Sequence, residues 1–276
     1  MLRPLPLGIA NAPIRAELEG SNATVKGEHR MRQMTAAVWI AATGIAVAGC
    51  GASNESSPTS SATTPTRPPV TQAALSGFLL TPAEVDGALG VTGTQSKEKT
   101  DKLQDDTAKQ QWPAGWKFPD DCVFAVGPGE APVYAGSGNT AVSGDDDLAS
   151  LPPGSNEPDP EVAQMVVLFP SAKEANDFFN TSSQRWPACA NRQFKTPAGP
   201  DNPEMTWQVG PVSNSNGTLT ATLTMTANNG GNALTMTGQR ALTVRNNVVV
   251  DVGVIRKDPP DLASKVASQI AGKIDK

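Results

Sequence analysis

Residues 162–189 read VAQMVVLFPSAKEANDFFNTSSQRWPAC, and this run decides the fold. Val162 to Phe169 is a nearly continuous apolar segment, the pattern of a strand covered on both faces. Pro170 stops it. Ser171-Ala172-Lys173-Glu174 is a capping-box sequence that opens a helix running to about Arg185. Ala175, Phe178, Phe179 and Ser182 recur at helical spacing and form its inner face. Trp186-Pro187-Ala188-Cys189 ends the helix and carries Cys189 back towards Cys122. Strand, helix and crosslink form the centre of an α+β domain.

Downstream, Asn191 to Glu204 reads as a loop and Thr206 to Val212 as a strand broken at Gly210-Pro211. A three-strand meander follows. Leu219, Ala221, Leu223 and Met225 alternate with threonines, as in a half-buried strand. The run Asn228 to Asn232 (NNGGN) is a hairpin turn. Leu234, Met236, Leu242 and Val244 share one parity, so Ala233 to Arg245 can be one long strand. Arg245-Asn246-Asn247 turns the chain into Val248 to Ile255 (VVVDVGVI), the last strand. Asp258-Pro259-Pro260-Asp261 then caps a helix whose Leu262, Val266, Ile270 and Ile274 pack on the sheet.

Upstream, Leu79 to Val85 (LLTPAEV) starts a helix, with Thr81 as cap, Pro82 at the first position and Glu84 completing a capping box. Gly90 ends it, and Val85 and Leu89 face the core. Lys97 to Gln111 is polar and exposed, helical or loose. Trp112, Trp116, Phe118 and Phe124 surround Cys122 and read as packing around a crosslink rather than as a ligand platform. Ala131 to Ala135, with Tyr134, reads as a strand. The glycine-rich run Gly127 to Gly144 lacks both GxGxxG after a strand and GK[ST], so it is not a phosphate loop; Gly136 and Gly138 serve a turn or bulge. Asp145-Asp146-Asp147, with Glu157, Asp159 and Glu161, reads as a solvated acidic loop, its spacing unlike that of an EF-hand.

The N-terminal part says where the domain is held. Thr35 to Gly49 carries no charge, and its apolar core, Ala36 to Ala48, suits a signal-peptide h-region and falls short of the ~20 residues of a membrane span. Arg30 and Arg32 precede it. Val47-Ala48-Gly49-Cys50 resembles a bacterial lipobox, which implies acylation of Cys50 and cleavage before it. Residues 1–30 are then an over-extended start, 31–49 the signal peptide, 50–71 a Ser/Thr/Pro-rich disordered tether and 72–276 the folded domain. The localisation expected is the outer face of the plasma membrane.

Composition narrows the function. Residues 1–49 hold five Lys/Arg and three Asp/Glu of the 22 and 27 in the chain, so the remainder carries 17 basic and 24 acidic side chains, a formal charge of −7. No basic run is present, which excludes nucleic acid as a partner. The one histidine, His29, precedes Cys50. Ser-His-Asp and Cys-His catalysis and His-ligated zinc are therefore excluded, and we expect no enzyme, no metal and no cofactor. With Cys50 taken by lipid, Cys122 and Cys189 form an even pair in an exported domain and are expected to make one disulfide; two buried free thiols are the alternative.

The order of these segments carries a resemblance. Leu79 to Val85, the Cys122 region, Tyr134-Ala135-Gly136-Ser137-Gly138, Gln164 to Ala172 and Trp186 to Cys189 together resemble the PknH-type extracellular sensor domain of mycobacterial Ser/Thr kinases, a domain also found in mycobacterial lipoproteins. The resemblance covers roughly residues 74–275. It implies a twisted, mainly antiparallel sheet flanked by helices, a cleft that receives a ligand, and no catalysis. Members often carry a second disulfide, and only Cys122 and Cys189 match here. No HRD or DFG kinase motif is present. Two functions follow: a lipid-anchored domain binding a small envelope ligand, lipid or glycan, or a module that docks on an envelope protein.

Overall fold

The computed structural model describes residues 67–104, 116–151, 155, 157–199, 203–229, 232–257 and 261–276. The stretch read as a signal peptide (31–49), Cys50 and most of the stretch read as a tether (50–71) lie outside the described residues. So do Trp112, Gly230-Gly231 and Asp258 to Pro260.

Eight antiparallel strands form one sheet: β1 (Thr92–Thr100), β2 (Ala141–Ser150), β3 (Glu161–Leu168), β4 (Gln193–Thr196), β5 (Glu204–Ser215), β6 (Thr218–Asn229), β7 (Asn232–Arg245) and β8 (Val248–Arg256), in the order β1-β2-β3-β8-β7-β6-β5-β4. The helices are α1 (Pro82–Leu89), α2 (Asp120–Val126), α3 (Ala131–Tyr134), α4 (Ala172–Arg185) and α5 (Leu262–Ile274), with 3-10 turns at Gln72–Gly77 and Trp186–Cys189. β3 lies centrally and is buried on both faces, as its apolar run requires. Val162, Val166 and Leu168 point into one core and Met165 and Val167 into the other.

The two faces are covered by different parts of the chain. On one, the first 3-10 turn, α1 and α5 pack on β3, β8 and β7 through Leu75, Val85, Leu89, Val266 and Ile270. On the other, the disulfide Cys122–Cys189 joins α2 to the 3-10 turn that follows α4, with Cα atoms 4.9 Å apart and both cysteines fully buried. Phe118, Phe178, Trp186, Trp207 and the apolar residues of β6 complete that second core.

Local chemistry explains the helix ends. Thr81 Oγ1 accepts from the Glu84 amide at 3.4 Å while Glu84 Oε2 accepts from the Thr81 amide at 2.7 Å, the capping box read in the sequence. Gly90 closes α1 in the left-handed region at φ 69°. Carbonyls at the end of α1 accept from Arg256 Nη1 (Leu89 O, 2.5 Å) and Lys265 Nζ (Ala88 O, 2.7 Å), which satisfies groups the helix leaves open. Glu84 Oε2 also pairs with Lys273 Nζ at 2.7 Å, and this bond holds the Glu84 carboxyl down at about 2. At α4, Ser171 accepts from the Lys173 amide rather than that of Glu174, and its hydroxyl donates to the Glu174 carboxylate.

Six expectations are corrected. Ala131 to Tyr134 is a helical turn, not a strand, set by Pro132 at its start. Lys97 to Thr100 belongs to β1, a polar edge strand with register shifts that protect it from further pairing. Gln193–Thr196 inside the expected loop is the opposite edge, β4. Asp261 sits at the start of α5 with φ 52° and makes no side-chain cap bond. The acidic run is β2 itself, with Asp145 5% and Asp147 2% exposed. The strand expected to break at Gly210-Pro211 instead bulges between Val209 and Val212 and continues to Ser215.

The segment Arg67 to Val70 lies against the domain. Asn247 Oδ1 accepts from the Val70 amide at 2.7 Å, and Asn247 Nδ2 donates to Val70 O and to Phe169 O. Asn246 Nδ2 donates to Pro68 O at 2.7 Å, and Arg67 Nη1 donates to Ile274 O at 3.1 Å.

Candidate functional site

The meander brings residues of three strands to one face: Ala221, Leu223 and Met225 from β6, Gly238 and Arg240 from β7, Gly253 and Ile255 from β8. Helix α2 overhangs them with Ala125 and Val126. Between them is a solvent-open depression of about 20 Å³, with room for about one water. That is far below the ~300–1,000 Å³ of a typical small-molecule pocket. This is a shallow groove rather than an enclosed cleft.

Arg240 on β7 reaches the floor of the groove and is 2% exposed. Its core-facing position follows from strand parity, which it shares with Met236, Leu242 and Val244. A buried cation must be paired, and Asp251 on β8, 0% exposed, pairs it in two-pronged fashion: Nε to Oδ1 at 2.8 Å and Nη2 to Oδ2 at 2.7 Å. Nη1 donates to Phe124 O at 2.9 Å, which ties the end of α2 to the sheet. The guanidinium lies over the Trp186 ring, 4.7 Å from its centroid. Asp251 Oδ2 also accepts from the Tyr134 hydroxyl and the Gly129 amide, each at 2.9 Å. Gly129 must be glycine, since φ is +65° and an added Cβ would stand 2.4 Å from Met165 Cε.

Burial opposes the Arg240 charge, but Asp251 more than offsets it, so the guanidinium pKa is raised further above its ordinary value. Burial, with the Asp251 charge, pushes the Tyr134 phenol well up, so it donates as a neutral hydroxyl. The pair therefore serves as a fixed clamp. It holds α2, the Gly129 loop and α3 at one place on the sheet.

Asp145, Asp146 and Asp147 form a second cluster. Glu98 on β1 stands directly opposite Asp146, and like charges in that register repel. Burial, with Glu98 and the neighbouring aspartates, raises Asp146 to about 7; burial and Asp159 raise Glu161 to about 7. Both folded values exceed the unfolded ones near 4, so the folded domain binds more protons across that window, and its stability falls as pH rises towards about 7. Glu84, held low, acts only below about 4.5. The domain is accordingly expected to melt at a higher temperature at about pH 5 than at about pH 8, and Asp146→Asn to gain on the order of 1–3 kcal/mol at the higher pH. A parent melting temperature that rises over the same interval would contradict this. Among the described residues no three His, Cys, Asp or Glu side chains are arranged to hold a metal ion.

Of the residues singled out in the sequence, the structure brings Cys122 and Cys189 together beneath the groove wall. Cys50 and His29 lie outside the described residues. Trp116, Phe118, Phe194 and Trp207 form an aromatic cluster beside β4 and β5, with Phe118 and Trp207 buried. Arg240 and Asp251 were not singled out. The signal was present: an aspartate inside VVVDVGVI, and an arginine at core parity on the preceding strand.

Comparison with known proteins follows this geometry. A model of the PknH-like extracellular domain matches residues 70–273. The serine/threonine-protein kinase PknH of Mycobacterium bovis is 33% identical over 210 residues, 75% of this chain and 32% of that protein. PknH of Mycobacterium tuberculosis H37Rv gives the same identity over 75% of this chain and 30% of that protein. The chain thus spans about a third of the length of the curated relatives it matches. The crystal structure of the extracellular domain of PknH from Mycobacterium tuberculosis superimposes with a TM-score of 0.61 at 31% identity, covering 75% of this chain and 98% of that one.

Proposed function

This chain belongs to the PknH-like extracellular domain family, and from that membership we propose that it is a non-catalytic extracytoplasmic recognition domain. It is held at the outer face of the plasma membrane by lipid on Cys50 and takes a small envelope ligand, lipid or glycan. The observation that carries this reading is the groove of α2 over β6, β7 and β8, apolar along its walls and fixed from below by the Arg240–Asp251 clamp. A shallow groove suits part of an extended ligand, such as an acyl chain or the flat side of a sugar. Lack of any imidazole after Cys50 favours binding over chemistry. No described helix is long and apolar enough to cross a membrane.

Native mass spectrometry of protein purified from its own envelope tests the ligand. A bound small molecule is expected, and Val126→Trp, which fills the groove from its rim, is expected to remove it. A ligand retained by the variant would place binding elsewhere. Metabolic labelling with a clickable fatty acid tests the anchor: label is expected on the parent and absent from Cys50→Ala.

A second reading, a docking module for an envelope protein, is favoured by one feature. On the face of α5, the strands β4 to β6 carry no helix among the described residues. Thr222, Thr224 and Thr226 of β6 and Thr235 of β7 line that flat surface. Protein that is ligand-free in native spectra and crosslinks to a partner through this face would favour the second reading.

A further inference from the structure

Asp147 is buried, 2% exposed, on the face of β2 opposite to Asp146. Its Oδ2 accepts from Gln164 Nε2 at 2.6 Å, while its Oδ1 has no hydrogen-bond partner among the described residues. A buried carboxylate oxygen without a donor is costly as an anion. No cation offsets it directly. Lys99 of β1 is the nearest basic group in contact with this acidic face; its side chain is 76% exposed and lies 3.9 Å from Asp145. The other acidic group beside Asp147 on this face is Asp145, bonded to Ser96 Oγ at 2.5 Å, while Glu98 of β1 and Glu161 of β3 lie on the opposite face with Asp146. On α1, Glu84 is held by Lys273 and Asp86 by Thr94. The local balance is negative.

Gln164 links this carboxyl to the first helix. Its Oε1 accepts from the Leu80 amide at 2.8 Å, and its Nε2 donates to Leu80 O at 3.2 Å as well as to Asp147. Leu80 immediately precedes the cap of α1.

We propose that Asp147 is a proton-binding site whose occupancy sets how firmly Gln164 latches Leu80, and with it α1, to the sheet. The neutral acid keeps Oδ2 as acceptor for Gln164 and removes the buried charge. The anion is stabilised only by admitting water at Oδ1, which requires parting the cover formed by Leu80 and the 3-10 turn before it. Burial, opposed by the Gln164 bond and the Lys99 charge and reinforced by Asp145, lifts the Asp147 carboxyl to about 6. The latch is firm below that value and loosens above it.

Amide hydrogen exchange by NMR on the whole protein, corrected for intrinsic rates, tests this. The Leu80 amide is expected to be at least about fivefold better protected at about pH 5 than at about pH 7.5, and Asp147→Asn to abolish the difference. Equal protection at both pH values in the parent, or the same difference in the variant, overturns the proposal. Restoration of protection at the higher pH by calcium chloride would also overturn it, by making the ligand a cation. Should Asp147→Asn fail to fold, the carboxyl carbon shift of Asp147 in the parent decides: a midpoint above about 5 is expected, and one below about 4.5 overturns the proposal.

Discussion

Arg240→Ala is expected to destabilise the domain by about 3–5 kcal/mol, seen as a large fall in the urea midpoint followed by tryptophan fluorescence. The cause is the uncompensated charge it leaves. Asp251 would lose both guanidinium bonds while remaining fully buried, with only Tyr134 and Gly129 as donors. The Phe124 carbonyl and the Trp186 ring would lose their partner as well. Arg240→Lys is expected to recover little, because an ammonium cannot reproduce the planar two-pronged contact. Arg240→Met combined with Asp251→Leu removes both charges and is expected to cost much less than either single change. A double variant as unstable as the singles would mean that the pair contributes shape rather than charge balance.

Opening the Cys122–Cys189 bridge is the second large effect. It closes a separation of 67 residues, for which chain entropy gives about 4 kcal/mol. That is a sizeable share of the 5–15 kcal/mol that stabilises an ordinary domain. Cys122→Ser with Cys189→Ser is expected to lower the guanidinium midpoint accordingly. It also frees α2 from the turn after α4, so α2 is expected to become sensitive to protease before the strands do. A double variant within about 1 kcal/mol of the parent would show that the Arg240 clamp alone fixes α2.

The uneven legibility of this sequence has a physical pattern. Elements that bury apolar side chains announced themselves: Val162 to Phe169 on both faces, Leu219 to Met225 on one, and Leu262 to Ile274 every four residues. The cysteine pair was legible from count and context. What escaped notice was polar. The edge strand β1, TGTQSKEKT, has no apolar alternation to reveal it, because edges are kept charged. Asp145 and Asp147 looked solvated, since a buried carboxylate is rare and only the register with β3 places them inside. Arg240 and Asp251 are joined across two strands, a relation that exists only once β7 and β8 are paired. The groove depends on that pairing too, so its lining could not be read from any single segment.

The grip of Asn246 and Asn247 on Pro68 and Val70 has a mechanical consequence. A load entering at Arg67 is taken up by the end of α5 and by the β7–β8 turn, at the other end of that hairpin from Gly238 and Ile255 of the groove.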